Sequence, residues 1–216
     1  MVNMLDISGS AERWCELFSD RTNIGMRVNS THQLEDVAQH VSEHCDERPD
    51  WAALELVVVH CVSLPEGEYG TGAAQRLFTG CLDVAEHPSF ADLEGVHVAP
   101  HVLITRDGSV QQFVPFDRRA WHAGVSCWGG RESCNDYAIG IELEGSVWQA
   151  FAEAQYESLA HVLDALFVKY AGLSPACVVG HAEIAPGRKE DPGKCFDWRR
   201  VLLRIHAAPT ATATQP

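Results

Sequence analysis

The change of hydrophobic period between residues 138 and 170 constrains the fold more than any other feature of this chain. "AIGIELEG" (138 to 145) alternates, placing Ile139, Ile141 and Leu143 on one face of a strand and Gly140, Glu142 and Glu144 on the other. From Glu153 to Tyr170 the period lengthens. Tyr156, Leu159, Ala160, Leu163, Leu166, Phe167 and Tyr170 recur at helical spacing, with Gly172 placed to end the helix. "LELVVVH" (54 to 60) and "ACVVGH" (176 to 181) read as further strands, and "HVLITRDGSVQQFVP" (101 to 115) as two β runs around an Asp107-Gly108 hairpin turn. Strand, hairpin, strand, helix, strand predicts the α/β class: a single domain with a central mixed β-sheet flanked by α-helices.

Length and charge set outer bounds. A chain of 216 residues, 46% hydrophobic, is long enough to bury one substantial core. The formal net charge of −14 disfavours nucleic acid and anionic membrane surfaces as partners, and no obligate protein partner is evident. The eight cysteines form no C-x-x-C pair, and "MVNMLDISGSAERW" has no basic region leading into an apolar one, so no export signal is readable. Reduced thiols in a cytoplasm are the simplest expectation. Residues 1–44 read as a weakly structured extension with a possible internal start at Met26, residues 45–206 as the domain, and residues 207–216, "APTATATQP" and its neighbour, as a disordered tail.

The chemistry gathers around "VVGHAEIAPGRKEDPG" (178 to 193). His60 and His181 fall at the ends of expected strands, and two turn signals, Ala185-Pro186-Gly187 and Asp191-Pro192-Gly193, bracket a short excursion that can fold back to place Asp191 beside His181. Two histidines and a carboxylate are a donor set for a catalytic zinc, which takes three protein ligands and keeps a fourth position open. On composition alone a solvated charged loop is the favoured reading of the same residues. Glu142, a carboxylate on an apolar strand, could act as a general base, and Lys189 as a fixed positive charge near a developing oxyanion. Cys61 follows His60 and so points to the opposite face of its strand, which makes it a poor partner for the same metal; Cys195 is a rival ligand.

Five runs in order, "LVVVHCVSLPEGEYG", "LFTGCLDVAEHPSF", "HVLITRDGSVQQFVPFDRRAWHAGVS", "CNDYAIGIELEG" and "GHAEIAPGRKEDPG", resemble the AmpD-type N-acetylmuramoyl-L-alanine amidases. These belong to a wider zinc amidase group that includes peptidoglycan recognition proteins. The resemblance covers roughly residues 45 to 200. It implies zinc held by His60, His181 and Asp191, with Glu142 and Lys189 as the catalytic pair. It also implies substrate contacts from Trp121, His122 and Arg131, with Cys61 at a substrate-facing position and Arg118 and Arg119 as further basic candidates. The implied reaction is cleavage of the amide joining N-acetylmuramic acid, in its 1,6-anhydro form, to L-alanine of the stem peptide, in cytoplasmic cell-wall recycling. A non-catalytic muropeptide-binding protein on the same scaffold is the alternative, although such relatives typically lose a zinc ligand and all three positions are filled here. The chain departs from the family at Cys61, where asparagine is common, and at His97 and Ser133, where arginine is common.

Overall fold

A computed structural model describes residues 25–50 and 53–205 of the chain. In chain order the strands are β1 (Ala38–Gln39), β2 (Cys45–Glu47) and β3 (Leu56–Val62), followed by a short helix α1 (Ala73–Phe78). Next come β4 (Val102–Ile104), β5 (Val110–Gln112), β6 (Arg118–Ala120), β7 (Cys127–Trp128), β8 (Arg131–Glu132) and β9 (Ala138–Glu144). The long helix α2 (Glu153–Lys169), strand β10 (Val178–Gly180) and the short helices α3 (His181–Ile184) and α4 (Trp198–Leu202) complete the described chain.

The main sheet has six strands in the order β1-β5-β4-β9-β3-β10. All neighbours are parallel except the β4–β5 hairpin, so the sheet is mixed, as the sequence pattern predicts. That hairpin turns where Asp107-Gly108 lies: Gly108 has φ of 86°, and the Asp107 carboxylate accepts from Thr105 Oγ1 and Ser109 N at 2.6 and 3.0 Å. Strands β3 and β9 occupy the centre: they pair with each other from Leu56 to Val62, and on their outer sides β10 pairs with Val57–Val59 and β4 with Ile141–Leu143. Parallel strands covered on both faces must be apolar almost throughout, which is why these two carry so few polar residues.

Parity divides those few. Val57, Val59, Ile139, Ile141 and Leu143 face α2 and pack with Leu159, Leu163 and Leu166 in the main core. Leu56, Val58 and Ala138 face the other way, onto Ala123, Tyr137 and Ile184. His60 and Glu142 share this second face and are register partners across β3 and β9. The helix runs one residue short of Tyr170, whose N–H closes onto Leu166 O at 2.8 Å. Gly172 does not end it through a left-handed conformation; an ideal Cβ there would lie 2.5 Å from the Leu54 carbonyl oxygen, so close backbone approach is what requires glycine.

The expected boundary between residues 44 and 45 falls inside the folded unit and is corrected. β1 forms the sheet's edge, Leu34 is buried, and its N–H donates to the Gln112 side chain at 2.6 Å. This segment docks through backbone and amide hydrogen bonds to an edge strand, which leaves no apolar periodicity to read. Residues 1–24 and the tail from 206 onward lie outside the described residues, as do the expectations placed on them. Among the described residues no helix is long and apolar enough to cross a membrane.

Candidate metal centre and active site

The site is assembled at the β3–β10 seam. His60 projects from β3, and β10 lies beside β3 with Gly180 opposite Val59, so the residue that follows β10, His181, emerges next to His60. Glu183 accepts from Gly180 N at 2.5 Å and holds the start of α3. The loop then turns at Gly187, φ 76°, and returns, with Ala182 N donating to Asp191 O at 3.0 Å. Gly180 permits the return, because a Cβ there would lie 2.8 Å from Pro192 Cδ.

The result is a triangle of donor atoms. His60 Nδ1 and His181 Nδ1 are 2.9 Å apart, and Asp191 Oδ2 is 3.1 Å from each. Both imidazoles are buried. His181 donates its Nε2–H to the Ala123 carbonyl at 3.0 Å, so its Nδ1 presents a lone pair to the triangle. Facing lone pairs of nitrogen and carboxylate oxygen repel unless a cation lies among them, and two histidines with a carboxylate are one of the donor sets zinc takes in open, catalytic sites. The residues present fit the metal.

Electrostatics agree with that assignment. Burial pushes the His60 imidazole down to about 4, so it stays neutral, as a metal ligand must. For Asp191 burial alone would raise the pKa, but the two adjacent imidazoles outweigh it and hold the carboxyl well below the usual range. Glu142 differs from Asp191. Burial, with the nearby Asp191 charge adding to it, pushes its carboxyl well above the ordinary glutamate range, and Oε2 is buried without a hydrogen-bond partner among the described residues. Lys189 opposes this shift from the exposed loop. Glu142, Lys189 and Trp121 line one cavity of about 190 Å³ with the metal triangle.

The other expected contacts are placed as follows. Cys61 borders the cavity, but its strand parity turns it toward the α2 side of the sheet, where it packs against the main core. Burial pushes its thiol far up, so it offers no thiolate. Neither it nor Cys195 joins the triangle. Arg131 does not line the cavity: it stacks 3.9 Å over the Tyr137 ring and pairs with Glu55 at 3.2 Å. Arg118 is paired with Glu47, and Arg119 with Asp46 and Asp136. Basic residues near the expected groove are thus spent on carboxylates of the same fold, which sequence alone does not reveal. His97 and His44, in contact at 3.2 Å, line an adjoining groove of about 480 Å³ that shares Trp121 with the cavity. Ser133 lines another groove beyond Arg188.

His122 borders the cavity, yet its Nδ1 lies 3.0 Å from His60 Nε2, behind the ligand. Sequence reasoning also missed Arg188 and Asn135, which support the loop carrying His122. The one available signal was Gly140, a glycine in the middle of a central strand. An ideal Cβ there would lie 2.4 Å from His122 Cγ, so the glycine makes room for the imidazole.

Comparison with known proteins places this geometry. Residues 50–194 match the N-acetylmuramoyl-L-alanine amidase family. The 1,6-anhydro-N-acetylmuramyl-L-alanine amidase AmpD of Citrobacter freundii is 52% identical over 164 residues, 76% of this chain and 87% of that protein. The crystal structure of a selenomethionine AmpD derivative is 47% identical with a TM-score of 0.79, covering 82% of this chain and 98% of that one. The Escherichia coli amidase AmiD, in complex with the substrate anhydro-N-acetylmuramic acid-L-Ala-D-gamma-Glu-L-Lys, is 28% identical with a TM-score of 0.53, covering 86% and 67%. With the family matched across both the central sheet and the returning loop, this chain belongs to the N-acetylmuramoyl-L-alanine amidases.

Proposed function

We propose that this chain is a zinc-dependent hydrolase that cleaves the amide between 1,6-anhydro-N-acetylmuramic acid and L-alanine of the stem peptide, in cytoplasmic cell-wall recycling. The observation that carries the reading is the convergence of His60 Nδ1, His181 Nδ1 and Asp191 Oδ2 beside a buried, unpartnered Glu142 oxygen. The similarity to AmpD proteins supports the anhydro-muropeptide as substrate.

His60, His181 and Asp191 would hold the metal. Zinc bound there supplies Lewis-acid polarisation of the scissile carbonyl and brings the pKa of water towards neutrality. Glu142 receives the proton of the attacking water and returns it to the departing alanine nitrogen. Its raised pKa suits this double role, because a carboxyl tuned upward both accepts and gives protons near neutral pH. Lys189 places its ammonium on the cavity rim, where it stabilises negative charge on the carbonyl oxygen. Trp121 supplies an apolar wall that orients the substrate and excludes water.

Metal analysis and digestion test this reading together. Purified protein is expected to carry one zinc per chain and to release free stem peptide from anhydro-muropeptide. Failure of both would overturn it, and activity on intact sacculi but not on the anhydro substrate would overturn the recycling role alone.

A further inference from the structure

Both histidines of the triangle are held from behind by one two-residue stretch. His122 Nδ1 lies 3.0 Å from His60 Nε2, and Ala123 O lies 3.0 Å from His181 Nε2. The stretch is itself fixed. Asn135 Oδ1 accepts from the His122 and Ala123 N–H groups at 3.2 and 2.8 Å. Arg188 donates to Ala123 O and Val125 O at 2.6 and 2.7 Å, from the same loop that carries Asp191.

An imidazole binds metal through one nitrogen only when the other carries the proton, and the partner of that second nitrogen sets which one does. A carbonyl can only accept, so Ala123 O forces the Nε2–H tautomer on His181. If His122 Nδ1 accepts, the same follows for His60. Among the described residues the His122 ring makes one hydrogen bond, to His60, and its Nε2 has no partner. It is seated over Gly140, at a position where any side chain would displace it.

We infer that His122 and Ala123, clamped by Asn135 and Arg188, form a positioning element that presents both Nδ1 lone pairs to the metal, and that His122 is a positioning residue rather than a substrate contact. This inference rests on the zinc reading above.

Zinc release from the holoenzyme into excess chelator, with steady-state kinetics at saturating zinc, tests it. His122→Ala is expected to weaken zinc retention about 10- to 100-fold, the usual range for loss of such a partner. KM for the anhydro-muropeptide should stay within about twofold of wild type, because the ring does not touch substrate. His122→Asn, whose Oδ1 can accept where Nδ1 did, should restore most of the retention. Arg188→Met should accelerate release and Arg188→Lys restore part of it, which keeps the test open if His122→Ala does not fold. Wild-type-like zinc release in both His122→Ala and Arg188→Met would overturn the inference while leaving the zinc hydrolase intact. So would a raised KM with unchanged release in His122→Ala. A wild-type protein that holds no zinc would instead overturn the proposed function, and this inference with it.

Discussion

Two carboxylates that line the same cavity, Asp191 and Glu142, are tuned in opposite directions. Asp191 is held ionised by the two imidazoles, whereas burial keeps Glu142 protonated to higher pH than a free glutamate. For an acid with a raised folded pKa, ionisation opposes folding. Stability is therefore full below the ordinary glutamate pKa and falls as pH rises above it. In zinc-free protein, Glu142→Gln is expected to raise stability at pH 7 by about 1 kcal/mol, read by urea unfolding. The same variant should keep its zinc and lose on the order of 10² to 10⁴ in kcat. Asp191→Ala should do the reverse and lose the metal, as measured by zinc content after gel filtration. If Glu142→Gln sheds zinc while Asp191→Ala retains it, the roles of ligand and base are exchanged. The separate roles expected of Asp191 and Glu142 were legible in the sequence, from the turn-rich loop that carries one and the apolar strand that carries the other, but the opposite tuning of their carboxyls comes from burial and partners that the sequence does not show.

At the scale of elements, the alternation in β9 and the helical repeat in α2 were legible because each has one face in the core. Leu163 is fully buried between them, and Leu163→Ala is expected to cost about 2–5 kcal/mol in chemical denaturation with little change in KM. Gly140 lies on the other face of β9 and should behave differently. Gly140→Ala places a methyl group where the His122 ring sits, so weaker zinc retention should accompany any loss of stability. Equal destabilisation with unchanged retention would show that the glycine serves only packing. Elements held by hydrogen bonds rather than by apolar stripes were not legible. β1 docks on β5 through its backbone, and the β7–β8 hairpin turns on Gly129 and Gly130, both at positive φ, over a pair of strands exposed to solvent.

For the molecule as a whole, the metal site spans the seam between β3 and β10 and the loop that returns to it, so zinc should tie three separate chain segments together. A ligand that binds only the folded state adds RT ln(1 + [L]/Kd) to its stability. Removing zinc with a chelator is thus expected to lower the melting temperature by several degrees, given about 2–4 °C per kcal/mol for a domain of this size. An unchanged melting temperature would argue against a site formed by these three ligands. What the sequence by itself determined is the mixed α/β architecture and the list of chemically competent residues, because strand and helix periods and turn residues are local properties of the chain. What only the tertiary structure decided is which of them work together. His60, His181 and Asp191 converge because β10 pairs beside β3. Arg118, Arg119 and Arg131 are withdrawn from the groove because carboxylates distant in sequence reach them first. His122 sits behind His60 because Gly140, on the strand beside β3, leaves it room.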